Sequence, residues 1–277
     1  MAKNVFIESL KESLSLAWKN KSLFILLFIL QIAFLIVFSF VNLAYQTKIL
    51  EKAMAITDYM SQQKLDEATV ASSMLQQKNI LGDDPLSISR NFNEILKTFR
   101  LYLAYVFLLL IVFTAVSWVV TNSLINKNSF IGLTKNFFKI FVVVLFYLGL
   151  IFLFYFSLLN ISLIGIAAQG PKLLANYAIF SIFSTILVYF MFVSLSLTHN
   201  TELKNIVQET LRIGIKKPHY IAAVYLICIS LFALPLFLLF YFIEKNLFIL
   251  LLSIILAVSS FVLGRIFMIT LVKKLGH

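Results

Sequence analysis

The run SLFILLFILQIAFLIVFSFVNLAYQT, residues 22–47, decides the fold. Its 26 residues carry no charge. A helix rises ~1.5 Å per residue, so about 20 residues cross the ~30 Å hydrocarbon layer of a bilayer. The heart of the run, Phe24-Ile25-Leu26-Leu27-Phe28-Ile29-Leu30, does not alternate. A membrane β-barrel needs ~10-residue alternating strands instead. Backbone groups in lipid find no water, so a crossing of this kind is helical. A secretory signal has a shorter apolar region and a small-residue cleavage site. Asn42-Leu43-Ala44-Tyr45-Gln46 offers none, so the run is expected to be a retained span.

Working outward, five more charge-free stretches lie at 101–126, 140–171, 173–201, 218–243 and 246–264. Each is long enough to cross once and too short to cross twice. The expected fold class is all-α: a polytopic bundle of six transmembrane helices forming a single membrane domain over 1–277. Spans are expected at 22–45, 101–126, 140–163, 175–198, 219–243 and 246–272. Cytoplasmic amphipathic helices are expected at 1–21 and 200–217, a cytoplasmic segment at 127–139 and a small helical outer insertion at 46–100. Composition agrees: 61% of residues are hydrophobic and 13% charged, against about 45–50% and about 25% in soluble domains. That excludes a soluble enzyme, a disordered chain and a disulfide scaffold. The lone Cys228 lies in an apolar run and reads as a small hydrophobe.

The net charge of +11 has a topological explanation. Fourteen Lys and Arg fall in the N-terminal lead, the segments after spans two and four, and the tail, with four acids. The remaining nine fall on the opposite side with eight acids. Basic residues favour the cytoplasmic side, so both termini are expected in the cytoplasm. Membrane topology, rather than nucleic acid, then accounts for the excess. Tyr45, Tyr102, Tyr177 and Tyr241 at outer ends, and Trp18 and Tyr220 at inner ends, suit the aromatic belts of a bilayer.

Two segments before outward-going spans read as amphipathic helices. Phe6, Ile7, Leu10, Leu14, Ala17 and Trp18 share one face of the first, opposite Glu8, Lys11, Glu12 and Ser15. Leu203, Ile206, Val207 and Thr210 share a face of the other. With 127–139 as a weaker third, the chain divides into three parallel units, each an interfacial helix followed by a hairpin. In the outer insertion, helical spacing recurs at Ile49–Met60 and Val70–Leu75. A break follows at Leu81-Gly82-Asp83-Asp84-Pro85, and Asn91 with Glu94 has capping-box spacing, although Asp84 or Ser87 could start the helix instead.

The spans contain no Asp or Glu, and His199, His219 and His277 are scattered. Clustered donors for a metal, paired carboxylates and a phosphate-cradling glycine loop are all missing from the sequence. No enzyme activity and no cofactor are expected. Arg265 is the one charge inside an apolar tract. It is expected to snorkel to the cytoplasmic interface from a span ending near Gly264. A helix shifted inward would instead let it bind a lipid phosphate or an anionic substrate. Lys11, Lys19, Lys216 and Lys217 join it as candidate contacts for anionic lipid. Ser117, Thr121, Ser194, Ser259 and Ser260 are helix-packing hydroxyls or, alternatively, the lining of a polar cavity. Pro235 is expected to kink span five.

The lead ESLKESLSLAWKNKSLF, residues 8–24, resembles the start of a loose group of six-span prokaryotic membrane proteins. That group includes the membrane domain of some glycerophosphodiester phosphodiesterases. The likeness lies in a helix, Trp18-Lys19-Asn20 and an apolar span, echoed weakly at 209–220. It implies a six-span membrane fold and no hydrolase activity, since the soluble barrel of those enzymes has no counterpart here. The Lys, Ile, Asn and Phe bias suggests a low-GC microbial genome.

The expectation is therefore a plasma-membrane protein acting as a structural, scaffolding or accessory component. It would contact anionic lipids of the inner leaflet and bind no nucleic acid. A small-molecule permease or export subunit with a cytoplasm-facing polar cavity is the other reading. Whether it works with a second copy or another membrane protein is left open by the sequence.

Overall fold

The computed structural model describes residues 2–62, 86–125, 130–165, 170–198, 201–242 and 246–276. Side chains at 2–4, 62, 130–133, 158–165 and 170–175 are outside that description. Expectations for 63–85, Glu244, Lys245, His199 and His277 lie outside the described residues.

Among the described residues every element is an α-helix: α1 Ala2–Lys19, α2 Lys21–Gln62, α3 Leu86–Ile125, α4 Phe130–Gly165, α5 Gly170–Leu197, α6 Leu203–Lys216, α7 Pro218–Phe242 and α8 Leu247–Gly276. Six of them, α2, α3, α4, α5, α7 and α8, are long and apolar enough to cross a membrane.

The chain divides into two compact units. One, residues 34–109, holds the C-terminal part of α2 and the N-terminal part of α3. There the Tyr102 hydroxyl donates to Asn42 Oδ1 at 3.1 Å, and Tyr45 lies 5.7 Å from the Tyr102 ring. Span one continues without a break as one long helix to Gln62. Of the starts the sequence offers, the capping box at Asn91 is not the one used: α3 already runs from Leu86, so Asn91 sits inside the helix.

The other unit comprises residues 1–33 and 110–277. Its centre is the C-terminal half of α8, where Val262, Ile266, Leu271 and Val272 are fully buried. Val193 of α5, Ile213 of α6 and Ile221 of α7 pack into the same core. Leu27 of α2 and Leu124 of α3 meet Val262 and Ile266.

Local chemistry sets the helix ends. Asn20, between α1 and α2, donates its amide to Leu124 O at 3.2 Å and so occupies a carbonyl of the last turn of α3. Asn246 accepts from the amides of Phe248 at 3.0 Å and Ile249 at 3.2 Å, an N-cap for α8. Pro218 opens α7, where its missing N–H leaves no gap. Pro235 lies inside α7, which continues past it to Phe242. The segment at 127–139, expected to be cytoplasmic, is described from Phe130 onward, where α4 runs straight into span three. Of the three expected leading helices, α1 and α6 are distinct and the middle one is continuous with its span.

α1 packs differently from its apolar stripe. Among its described side chains the fully buried ones are Ser9 and Ser13, whose hydroxyls bond back to Val5 O at 2.7 Å and Leu10 O at 2.8 Å. Thus satisfied, they act as small residues that let α8 approach closely. Thr270 of α8 donates to Ser9 O at 3.4 Å, and Phe6 meets Phe267 edge-on at 5.1 Å. Ile7, Leu14 and Trp18 stay exposed, so the expected single apolar face is split in two.

Candidate functional site

A cavity of about 210 Å³ lies between α3, α5, α7 and α8. One wall is an aromatic series, with Trp118 5.8 Å from Phe192 and Phe192 5.7 Å from Tyr225. Tyr225 is held by its hydroxyl, which donates to Val188 O at 3.2 Å. Gly264 brings α8 close to α7: a Cβ there would lie 3.0 Å from Cys228 Sγ. Ser260 and Arg265 are polar members of an otherwise largely apolar lining.

Arg265 departs from the expected placement. α8 continues to Gly276, so the arginine is not at a helix end, and it is only 5% exposed. Neighbouring helices cover it where snorkelling would require open interface. Its Nη2 donates to Gln31 Oε1 of α2 at 3.1 Å, and its guanidinium lies 4.9 Å from the centre of the Phe261 ring. Its buried Nε has no hydrogen-bond partner. The Gln31 contact joins residues 234 apart in the chain. The only sequence signal for it is that each residue is a rare polar group in an apolar tract.

Of the five candidate cavity hydroxyls, Ser260 borders this cavity. Ser259 is half-buried nearby on α8. Thr121 donates to Ser117 O at 2.7 Å, and both side chains are buried. Ser194 joins three helices, with the Tyr147 hydroxyl of α4 at 3.0 Å and the Thr210 hydroxyl of α6 at 2.9 Å.

The basic candidates also separate. Lys11, Lys19 and Lys216 are exposed. Lys217 instead donates to Leu275 O at 2.7 Å and ties α6 to the end of α8. Lys274 pairs with Glu12 at 3.0 Å and Glu8 at 3.8 Å, tying α8 to α1. These contacts gather the N-terminal helix, α6 and the C-terminal helix end at one end of the unit. There α6 presents Leu203, Val207, Leu211 and Ile215 as an exposed stripe at four-residue spacing. Lys204, Arg212 and Lys216 lie alongside, Arg212 being paired with Glu209 at 2.6 Å. At the junction of α1 and α2, Lys21 Nζ stands 4.2 Å over the Trp18 ring, and Trp18 is 74% exposed.

Among the described residues no three His, Cys, Asp or Glu side chains gather to hold a metal ion. Six apolar spanning helices define the class: a multi-pass helical membrane protein. Comparison with protein-family models, with curated proteins and with solved structures gave no match.

Proposed function

We propose that the chain is a non-catalytic, accessory component of the plasma membrane that engages anionic lipids of the inner leaflet through α1 and α6. Both termini are cytoplasmic in this reading, as the distribution of basic residues favours. The observation that carries it is the exposed stripe of α6, Leu203-Val207-Leu211-Ile215, edged by Lys204, Arg212 and Lys216. A helix with an uncovered apolar stripe beside a cationic edge suits the boundary between acyl chains and head groups. α1 repeats the arrangement with Ile7, Leu14 and Trp18 beside Lys11, and Lys21 follows at the start of α2. Each Lys or Arg near an anionic surface is worth about 1 kcal/mol. The resemblance of residues 8–24 to six-span prokaryotic membrane proteins is in keeping with this reading.

The test is the phosphatidylglycerol that co-purifies with the protein in a neutral detergent. Replacing Lys11, Lys19 and Lys216 together with Gln should lower it several-fold while the helical content holds. An unchanged amount would end the proposal. Lys217 is left intact because its ammonium holds Leu275 O. A permease with a polar cavity draws less support, because Ser117, Thr121 and Ser194 are engaged in packing.

A further inference from the structure

The exposed basic stripes leave Arg265 unexplained. A guanidinium keeps its proton inside proteins, and burying it without a counter-charge costs several kcal/mol. No carboxylate is available from the spans, which contain neither Asp nor Glu. Gln31 and the Phe261 ring supply only dipole and quadrupole, and Nε stays unsatisfied. Beside this cation lies a cavity with aromatic and apolar walls.

We infer that the cavity is a binding site for an anionic amphiphile: an oxyacid head, carboxylate or phosphate, on Arg265, with part of one hydrocarbon chain against Trp118, Phe192 and Tyr225. Size supports this. The volume of about 210 Å³ exceeds the ~150 Å³ apolar cavity that admits benzene. It is less than the ~300 Å³ at the lower end of sites that enclose a whole small molecule. A chain would therefore enter partly and continue outward. The cavity has a side toward the bilayer, because its lining residues Ile229, Phe232 and Phe261 are 59%, 37% and 41% exposed. An amphiphile can reach it laterally without passing through water.

The head would be drawn into the bundle and not kept at its surface: the guanidinium meets Gln31, ten residues into α2 from Lys21, a rise of ~15 Å. The inference extends the lipid contact proposed above to a second site. The chemistry of the cavity does not depend on that contact, and the test uses micelles with no anionic surface, so either reading can fail alone.

The chain has two tryptophans, Trp18 and Trp118. In full-length Trp18→Phe protein in dodecyl maltoside, Trp118 becomes the sole indole reporter, and 9,10-dibromostearate quenches indoles on contact. Saturable quenching is expected, displaced by dodecyl phosphate or dodecanoate and not by dodecanol. The better competitor of the first two identifies the head group. Arg265→Met should weaken the apparent affinity at least tenfold, and Ser260→Phe should abolish quenching by filling the cavity. Quenching that rises without saturation would overturn the inference, as would equal displacement by dodecanol or unchanged affinity in folded Arg265→Met. Should Arg265→Met not fold, Ser260→Phe and the dodecanol comparison decide: unchanged quenching in the one or full displacement in the other refutes the site.

Discussion

Ser194→Ala is expected to weaken the bundle by more than one hydrogen bond, because one hydroxyl serves two neighbours. Ser194 is 1% exposed and stands 3.0 Å from the Tyr147 hydroxyl and 2.9 Å from that of Thr210. Interhelical hydrogen bonds in membranes average about 0.6 kcal/mol and reach about 1.7. Losing two gives roughly 1–3 kcal/mol, with the upper part reached if the stranded hydroxyls find no substitute. Tyr147→Phe alone removes one bond and should cost about 1 kcal/mol. In the Ser194→Ala background the same change deletes a hydroxyl already stranded, so it should cost nothing or restore some stability. Equilibrium unfolding in dodecyl maltoside with increasing SDS, followed by circular dichroism, gives all four corners of the cycle. A coupling of about 1 kcal/mol is expected. Additivity within about 0.5 kcal/mol, the behaviour of independent sites, would refute the three-helix junction.

The other packing predictions are simpler. Gly214→Val should lift α6 from α5, since even a Cβ there would sit 2.9 Å from Phe190 Cε1; limited proteolysis near α6 should then accelerate. Phe6→Ala removes the edge-on contact with Phe267 and should release α1, read as faster amide exchange over residues 5–17. Lys274→Gln should change the unfolding midpoint little, by less than about 1 kcal/mol, because its pairs with Glu8 and Glu12 are partly exposed.

Much of the fold can be read locally. A span announces itself by a charge-free run longer than the hydrocarbon layer, and each of the six runs overlaps a long apolar helix. The amphipathic character of α6 is equally local: the expected face, Leu203, Ile206, Val207 and Thr210, divides between the protein core and the exposed stripe. Other features depend on contacts that no local pattern encodes. Arg265 reads as a span end because charge normally marks the water boundary, yet helix packing encloses it and Gln31 meets it from 234 residues away. Trp118 and Phe192 do not stand out in a chain with 29 Phe, and only the convergence of four helices makes them a wall. Ser9 and Ser13 read as polar, whereas their back-bonded hydroxyls make them close-packing residues. Asn91 has capping-box spacing, but the helix is already formed from Leu86.

The claim that anionic lipid is held at the basic end of the bundle is tested most directly by lipid selectivity. With the protein reconstituted in phosphatidylcholine, electron spin resonance of spin-labelled phosphatidylglycerol and phosphatidylcholine reports the fraction of each immobilised at the protein surface. A several-fold preference for phosphatidylglycerol is predicted, falling toward parity in 1 M salt, where the Debye length is about 3 Å, and in the Lys11, Lys19 and Lys216 to Gln triple variant. Equal immobilisation of the two lipids by the unmodified protein would contradict the account.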